Sequence, residues 1–436
     1  MAQSFRQTVF AGDSIVSRCP YQENNPKFVL EGYDETRNRC GIPCGETLLS
    51  RHMLLLGGIG TGKTNAFNFL IQNTLSHLMS NDVVIIFDTK GDYYSQFYRP
   101  GDIVISNDQR AAGQEGPDFW NIFKELEIDE RVEENTLEIA RSLFTEKIEK
   151  TSQPFFPNAA RDLFAALILH LLRTPQLKDQ KNNESLRRIL NRLTPGDMKK
   201  ILKSHPDLAA MSAYIEDEKS GQTLGVISEL QQMVREIFVG NFAARGNLSM
   251  RQLIRNKGGK VIFIEYDLGI GSLLTPVYRL LIDLAIKEAL CRKENEGNVY
   301  FFIDEFRLLP HLMHIDDGVN FGRSLGAKFF FGVQNIDQIS AAYGENEAGS
   351  ILSAFGTVFC FRVGDAASRE FIKQLYGKNL KLNTYMSAVS SRGIVEQLTE
   401  GNVIEDSDVT DLPTGWALVK TPGCMPFRLY FPLYRG

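Results

Sequence analysis

Short runs of apolar and β-branched residues recur along the chain and predict the strands of a buried sheet. The runs lie at residues 53–56, 83–87, 103–105, 261–264, 299–303, 329–333 and 357–361. Hydrophobicity is continuous within each run, which is typical of strands that helices cover on both faces, and helical patterns separate most of the runs. The pattern therefore predicts an α/β core built on a mainly parallel sheet.

Two further apolar runs, at residues 417–419 and 427–430, lie close to the end of the sequence. The intervening TPGCMP contains proline and glycine, which favour a turn between two strands. We expect these runs to form a hairpin at the edge of the sheet and to close it.

The strand pattern disappears between residues 124 and 250, where apolar residues follow the helical period, for example at 160–172 and 226–237. This predicts an all-α domain inserted at 124–250, between the two parts of an α/β domain at 1–123 and 251–436. The insertion contains an acidic stretch at 125–134. It also contains a basic group: Arg187, Arg188, Arg192, Lys199, Lys200 and Lys203. Such charge runs are usually solvated helix faces, and we interpret both of them in this way.

Composition limits the class of protein. Hydrophobic residues make up 43% of the 436 residues and charged residues 23%, which is typical of a soluble protein with a sizeable core. The net charge of −5 argues against a protein that coats nucleic acid, but it is compatible with a local basic groove or pore. No run approaches the roughly 20 apolar residues that cross a bilayer, and the first residues are too polar for a secretory signal. We therefore expect a cytoplasmic protein.

The six cysteines are too few and too scattered for a disulfide framework, so we expect reduced thiols. Cys19, Cys40 and Cys44 are candidate ligands of a metal ion. However, no histidine or fourth cysteine follows them at zinc-ligand spacing, so we expect no metal there.

The segment GGIGTGKT satisfies the pattern G-x-x-x-x-G-K-[S/T] and lies between an apolar strand and an amphipathic helix, a context that a chance glycine-rich turn does not explain. Backbone N–H groups of such a loop surround phosphates, and the helix dipole adds positive potential. Lys63 would reach the β- and γ-phosphates of ATP, and Thr64 would hold Mg²⁺. The predicted nucleotide-binding residues here are Gly57, Gly58, Ile59, Gly60, Thr61, Gly62, Lys63, Thr64 and Asn65.

Two carboxylates follow the buried strand in NVYFFIDEF, at Asp304 and Glu305. The carboxyl ends of parallel strands form the ligand-binding rim of an open sheet, so both acids should lie on the same rim as the phosphate loop. Asp304 would help to hold Mg²⁺, and Glu305 would orient and polarise the attacking water. The alternative is a solvated turn, which we consider less consistent with the phosphate loop.

Three further polar residues are candidates for the same site. Gln334, at the end of KFFFGVQN, could sense the γ-phosphate, and Arg323, in FGRSLG, could reach the nucleotide of a neighbouring subunit. The alternative for Arg323 is a surface ion pair. Asp88, in DTKGD, could bond active-site water or Mg²⁺, or it could cap its own turn, and composition does not separate these roles.

Taken together, these stretches resemble the coupling-protein family of type IV secretion and conjugation, hexameric DNA-translocating ATPases related to the FtsK/HerA pumps. The resemblance covers nearly the whole chain after about residue 40 and includes a helical segment in the same place. The matching stretches are, in order, GGIGTGKT, DTKGD, DIVISN, FFPNAARDLFAALI, FFIDEF, FGRSLG, GVQN, GTVFCFRVGD and DLPTGWALV.

The resemblance implies a RecA-like P-loop NTPase with an inserted all-α domain, ATP and Mg²⁺ as cofactors, and a homohexameric ring around DNA. Carried over residue by residue, it implies nucleotide contacts at Lys63 and Thr64, Walker-B roles for Asp304 and Glu305, a sensor role for Gln334 and an arginine finger at Arg323. It also implies three kinds of partner: DNA, a relaxase or other secretion substrates at the all-α domain, and inner-membrane secretion components.

Most members of that family begin with membrane-spanning helices, and this sequence shows none. The resemblance is compatible with a soluble member docked on a membrane partner and with a chain whose anchor has been removed. In either case we expect a location at the inner face of the cell membrane.

The sequence thus predicts an ATP-driven DNA translocase that couples substrates to a conjugative or type IV secretion system. Two other functions share its motifs. One is an ATPase that assembles a secretion apparatus or exports protein without moving DNA. The other is an adaptor in which the nucleotide acts only as a conformational switch.

Overall fold

The computed structural model describes residues 4–107, 118–291, 293, 296–386 and 394–436. The strands are β1 (Ser4–Ala11), β2 (Phe28–Tyr33), β3 (Arg39–Cys44), β4 (Met53–Leu56), β5 (Val83–Asp88), β6 (Ile103–Ser106), β7 (Lys260–Glu265), β8 (Val299–Ile303), β9 (Ala327–Val333), β10 (Thr357–Cys360), β11 (Lys378–Met386), β12 (Ile394–Asn402), β13 (Trp416–Lys420) and β14 (Phe427–Tyr430).

The α-helices are α1 (Glu46–Leu49), α2 (Lys63–Ser76), α3 (Asp92–Phe97), α4 (Ile122–Leu126), α5 (Val132–Lys150), α6 (Phe155–Arg173), α7 (Asn183–Arg192), α8 (Pro195–Lys203), α9 (Gly221–Ile237), α10 (Met250–Asn256), α11 (Gly271–Leu290), α12 (Ile315–Phe321), α13 (Ile336–Tyr343), α14 (Glu345–Ser353), α15 (Ala366–Tyr376) and α16 (Asp406–Thr410). Short 3₁₀ helices lie at Pro175–Gln180, Ala209–Ile215, Gly240–Ala243 and Phe306–Leu308.

The chain forms two compact units, and each unit contains segments that are not consecutive in the sequence. The first unit contains Met1–Leu78, Phe301–Arg307 and Lys328–Gly436, and the second contains Met79–Tyr300 and Leu308–Ala327. These units divide the chain at other points than the predicted domains 1–123, 124–250 and 251–436, whose boundaries stay predictions.

The main sheet of the first unit has the strand order β3-β2-β14-β13-β10-β4-β9-β8. At its centre, β4 pairs in parallel with β10 on one side and with β9 on the other, so that Leu54 lies between Val358 and Phe331. All residues of β4, β9 and β10 are buried, as the continuous apolar runs indicate. The predicted α/β fold with a mainly parallel sheet is confirmed.

The hairpin of β13 and β14 forms as predicted, but it does not close the sheet. Beyond it, β14 pairs antiparallel with β2, which pairs antiparallel with β3. The hydrophobic pattern did not predict β2 because its residues alternate: Leu30 is buried and its neighbour Val29 is 43% exposed. A strand with one solvated face lacks the continuous apolar run that identified the central strands.

A separate antiparallel sheet in the first unit has the order β1-β11-β12. One of its faces is held by polar side chains: Asn383 accepts a hydrogen bond from Gln7 and donates one to Thr399. Several apolar residues of this sheet are exposed instead, among them Phe10, Leu380 and Leu398. In this sheet a polar side chain is buried and apolar side chains are exposed, which is the opposite of a hydrophobic core. Local hydrophobicity therefore did not predict these strands.

The second unit combines the parallel strands β5-β7-β6 with most of the α-helices. Helix α6 packs against α5 and α9 and is mostly buried. It is long and apolar enough to cross a membrane by length and composition, but 61% of its most apolar window is buried inside the protein. The core helix of a soluble protein has the same properties.

A buried carboxylate fastens the two ends of the helical segment together. Glu125 in α4 accepts hydrogen bonds from the indole N–H of Trp120 at 2.9 Å, from the hydroxyl of Ser249 at 2.7 Å and from the backbone N–H groups of Met250 and Arg251. Burial raises its pKa, and these donors oppose that shift. The contacts fix the start of α10 beside α4, although these two helices lie at opposite ends of the helical segment in sequence.

Candidate functional site

The phosphate loop connects β4 to α2 through a turn that requires glycine. Gly60 and Gly62 have φ values of +72° and +107°, in the region that side chains with a Cβ rarely adopt. A Cβ on Gly62 would also lie 2.9 Å from the Cα of Gly415. The backbone conformation of the loop therefore favours glycine at these two positions, in addition to the predicted role of the loop in surrounding phosphates.

Backbone hydrogen bonds with β9 and with residues next to β10 and β13 hold the loop in place. The N–H of Gly57 donates to the carbonyl of Val333 and that of Gly58 to the carbonyl of Arg362, each at 3.0 Å. The N–H of Gly415 donates to the carbonyl of Thr61 at 2.9 Å. The stretch DLPTGWALV, which is part of the family resemblance, thus braces the loop directly.

Lys63, Thr64 and Asp304 come together at the start of α2. The Lys63 ammonium lies 3.7 Å from Oδ1 of Asp304, and the side chain of Lys63 is only 8% exposed. The hydroxyl of Thr64 donates to Oδ2 of Asp304 at 2.9 Å. A hydroxyl and a carboxylate oxygen that converge beside a phosphate loop are hard oxygen ligands of the kind that Mg²⁺ prefers.

Strand β9 lies between β4 and β8 in the sheet, and its residue Gly332 makes room for Asp304. A Cβ at this position would lie 2.2 Å from the carbonyl oxygen of Asp304 and 2.6 Å from its Oδ1. Any side chain here would displace the carboxylate, so Gly332 contributes to the site through its lack of one.

Both carboxylate oxygens of Glu305 accept hydrogen bonds. Gln334 donates from Nε2 to Oε2 at 2.6 Å, and Arg307 donates from Nε to Oε1 at 2.8 Å. The first contact brings the predicted sensor to the predicted water-activating acid. Arg307 was not among the predicted site residues, although an arginine two residues after a paired acid is a signal that could have identified it.

Ile59 and Asn65, two of the predicted nucleotide-binding residues, differ in the environment of their side chains. The side chain of Ile59 is 86% exposed and only its backbone belongs to the loop. The amide of Asn65 donates to the carbonyl of Pro432 and accepts from the N–H of Tyr434, both at 2.8 Å. Asn65 therefore fastens the C-terminal segment to α2, and its predicted contact with a nucleotide stays a prediction.

Arg323 belongs to the second unit, in the turn between α12 and β9. Its side chain is exposed and forms no ion pair or hydrogen bond within the part of the chain that the structure describes. The alternative of a surface ion pair is thus not realised among the residues that the structure describes. Its role as an arginine finger stays a prediction.

Asp88 also belongs to the second unit and ends β5. Its Oδ1 accepts from the N–H groups of Lys90 at 3.1 Å and Gly91 at 2.9 Å, and its Oδ2 accepts from the N–H of Tyr94 at 2.8 Å. Burial raises its pKa, and these backbone donors oppose that shift. This geometry is the turn-capping arrangement, and a contact with nucleotide or Mg²⁺ stays a prediction.

All six cysteines are free. Two that are distant in sequence lie close in the fold, since the N–H of Cys19 approaches Sγ of Cys40 at 3.4 Å. In the described ranges, no three or more histidine, cysteine or acidic side chains are arranged to hold a metal ion.

Comparison with known proteins identifies relatives of the whole chain. A family model described as the type IV secretion-system coupling protein DNA-binding domain matches residues 36–429. Coupling protein TraD of Escherichia coli (strain K12) is 23% identical over 431 residues, an alignment that covers 92% of this chain and 56% of TraD. The chain thus spans about half the length of this curated relative.

Solved structures of the bacterial conjugative coupling protein TrwB have the same fold. The unbound monoclinic form of TrwBdeltaN70 gives a TM-score of 0.77 at 19% identity and covers 99% of this chain and 95% of its own. TrwB with the non-hydrolysable ATP analogue ADPNP gives 0.74 at 20% identity, covering 100% and 96%. TrwB with ADP and Mg²⁺ gives 0.75 at 19% identity, covering 100% and 97%. The resemblance noted from the motifs is confirmed.

Proposed function

Because the chain belongs to the type IV secretion-system coupling protein family, we propose that it is an ATPase that moves DNA for a conjugative or type IV secretion system. The observation that carries this proposal is the convergence of Lys63, Thr64 and Asp304, with Glu305 beside them, at the end of the phosphate loop. ATP is the substrate, and Mg²⁺ accompanies it. The structures of TrwB with an ATP analogue and with ADP and Mg²⁺ support this choice.

The residues around the loop have separate tasks in this proposal. The backbone N–H groups at the start of α2 face the phosphates, where the helix dipole favours negative charge. Lys63 neutralises the β- and γ-phosphates. Thr64 and Asp304 would hold Mg²⁺, which would offset phosphate charge.

Glu305 orients the attacking water and accepts its proton, and Gln334 links this carboxylate to the γ-phosphate. The 2.6 Å contact between Gln334 and Glu305 supports this pairing. A change at the γ-phosphate would thus reach the catalytic carboxylate through a single hydrogen bond.

Arg323 acts on the nucleotide of the neighbouring subunit in a homohexameric ring. Its exposed guanidinium, which has no partner among the described residues, is available to a second copy. An arginine supplied in trans stabilises transition-state charge and is worth roughly 10³ to 10⁵ in rate in well-characterised NTPases. Hydrolysis in this arrangement depends on ring formation.

DNA passes through the ring and is held by its phosphates without readout of base sequence. Because the net charge is −5, this contact requires basic residues that are concentrated locally. We place the protein at the inner face of the cell membrane, beside inner-membrane secretion components. The helical part of the second unit receives the relaxase or other secretion substrates.

Displacement assays test DNA movement directly. A motor that advances on double-stranded DNA removes a fluorescent third strand from a triplex, and one that advances on single-stranded DNA removes streptavidin from a biotinylated end. We expect ATP-dependent displacement in one of the two assays and none with Lys63→Ala. If ATP drives displacement in neither assay while the protein hydrolyses ATP, it does not move DNA.

DNA binding separates this function from an ATPase that assembles a secretion apparatus or exports protein. Fluorescence anisotropy with a labelled oligonucleotide should show a DNA affinity that falls steeply between about 50 and 200 mM salt. The affinity depends on salt because each phosphate contact releases counterions from the DNA. An absence of DNA binding at low salt would favour the second function.

A further inference from the structure

The carboxylate of Glu305 is held on both sides. Gln334 occupies Oε2 and Arg307 occupies Oε1, at 2.6 and 2.8 Å. Gln334 reaches across from the end of β9, whereas Arg307 lies only two residues further along the chain. The residue that the proposed function needs as a base is therefore bound by a neutral donor and by a permanently charged one.

Arg307 is placed for this contact by the residue before it. Phe306 is buried and stacks on Phe331 and Tyr343, with ring centroids 4.3 and 5.3 Å apart. This anchor fixes the short 3₁₀ helix Phe306–Leu308. The side chain of Arg307 remains 46% exposed, and Glu305 is its only hydrogen-bonding or ionic partner within the described part of the chain.

A guanidinium on this carboxylate opposes its use as a base. Arginine stays protonated at any physiological pH, so it cannot relay the proton. Its charge-assisted hydrogen bond takes up one carboxylate oxygen, which is then not available to accept a hydrogen bond from the attacking water in the same direction. The same contact fixes the direction in which the carboxylate points.

We propose that Arg307 is a positioning residue that holds Glu305 back from the attacking water and so restrains ATP hydrolysis in the absence of DNA. This inference rests on the proposed hydrolysis of ATP. It adds Arg307 to the proposed site as a residue that acts only through Glu305. Release of Oε1 from Arg307 frees Glu305, which Gln334 continues to connect to the γ-phosphate.

The restraint is partial because Arg307 is half-exposed. Water competes for a guanidinium with this exposure, and ion pairs of this kind shift equilibria by a factor of about two to five. Loss of Arg307 should therefore raise the rate without DNA by about two- to fivefold. It should leave the affinity for ATP unchanged, since Arg307 does not touch the phosphate loop residues.

Steady-state phosphate release with the full chain tests the proposal. We expect Arg307→Ala to raise kcat without DNA by about two- to fivefold, to leave KM for ATP unchanged and to reduce the stimulation by DNA. Arg307→Lys keeps a positive charge near Oε1 and should stay close to the wild type. Arg39→Ala, which removes an exposed arginine from the edge strand β3 of the same unit, is the matched control and should change neither constant.

The double variant Glu305→Gln/Arg307→Ala shows whether the additional rate passes through Glu305. We expect it to be as inactive as Glu305→Gln. Arg307→Gln, which keeps a hydrogen-bond donor and removes the charge, replaces Arg307→Ala if the alanine variant does not fold, and it should also raise kcat.

An unchanged or lower kcat in the charge-removing variant, or a change confined to KM, overturns the role of Arg307. So does a double variant that keeps the raised rate. If the wild type hydrolyses no ATP with or without DNA, the proposed function itself fails and this inference falls with it, so the two failures are distinguishable.

Discussion

The hydroxyl of Thr64 donates a hydrogen bond of 2.9 Å to Oδ2 of Asp304, a residue 240 positions later in the chain. Thr64 lies in the first turn of α2, and Asp304 directly follows β8. Strand β9 separates β4 from β8, and its Gly332 leaves the space through which Asp304 approaches Thr64. Parallel strands that end at one rim thus bring two distant motifs to one proposed Mg²⁺ site.

Removal of the Thr64 hydroxyl should weaken nucleotide binding only when Mg²⁺ is present. We expect Thr64→Ala to lower the affinity for Mg·ATP by about tenfold, the equivalent of one charge-assisted contact of roughly 1.5 kcal/mol. Thr64→Ser keeps the hydroxyl and should bind normally. Titration of a fluorescent ATP analogue with Mg²⁺ and with EDTA measures the effect, and an equal loss in both conditions would contradict a metal contact at Thr64.

The two glycines with positive φ in the phosphate loop should respond differently to alanine. A Cβ added to Gly60 would meet no atom within 4 Å, so Gly60→Ala should cost only about 1 kcal/mol of backbone strain. Gly62 combines a φ of +107° with a contact of 2.9 Å to Gly415, so Gly62→Ala should cost roughly 2–4 kcal/mol. Urea denaturation measures both variants. Equal losses of stability would contradict the close approach of Gly415 to Gly62.

The buried carboxyl of Asp283 should make stability depend on pH. Burial raises its pKa from an ordinary value of 3.8 to about 6, although the N–H groups of Met313 and His314 donate to it. Because the folded state binds this proton more tightly, the contribution to stability is full below the unfolded pKa and is lost as pH rises through the folded pKa. Two pKa units correspond to about 3 kcal/mol.

The variant Asp283→Asn removes this titration. Urea denaturation from about pH 4 to 7.5 should therefore show the wild type losing stability relative to the variant by up to about 3 kcal/mol. The comparison uses only the difference in slope, so a constant cost of the amide does not affect it. Parallel stability profiles for the two proteins would contradict a raised pKa at Asp283.

A mixing experiment tests whether Arg323 acts in trans. Lys63→Ala and Arg323→Ala should each lose hydrolysis, with ring formation retained as measured by mass photometry. In mixed rings, the intact loop of an Arg323→Ala subunit can meet the intact arginine of a Lys63→Ala subunit. We expect mixing to restore part of the activity. Rings that remain inactive after proven subunit exchange would contradict the placement of Arg323 at a neighbour's nucleotide.

The parts of the fold that were predictable from the sequence are those with a strong local signal. The strands β4, β5, β8 and β9 are buried on both faces and therefore appear as uninterrupted apolar runs. The phosphate loop has a specific motif between a strand and a helix, which made Lys63 and Thr64 predictable.

The parts that were not predictable depend on long-range contacts. In β11, Asn383 is 6% exposed and is stabilised by Gln7 and Thr399, partners that the local pattern does not contain. The sequence predicted a nucleotide contact for Asn65, but it did not predict the hydrogen bonds with Pro432 and Tyr434 that fasten the C-terminal segment to α2. For Arg307, the spacing from Glu305 is visible in the sequence, but the direction of its side chain is not.

Phosphate release at saturating Mg·ATP, compared for the wild type and Glu305→Gln with and without DNA, tests the central claim most directly. We expect hydrolysis by the wild type that DNA stimulates and that Glu305→Gln abolishes, while nucleotide binding remains. The same slow rate with and without DNA under conditions that support rings, or full activity in Glu305→Gln, would contradict a DNA-dependent ATPase at this site.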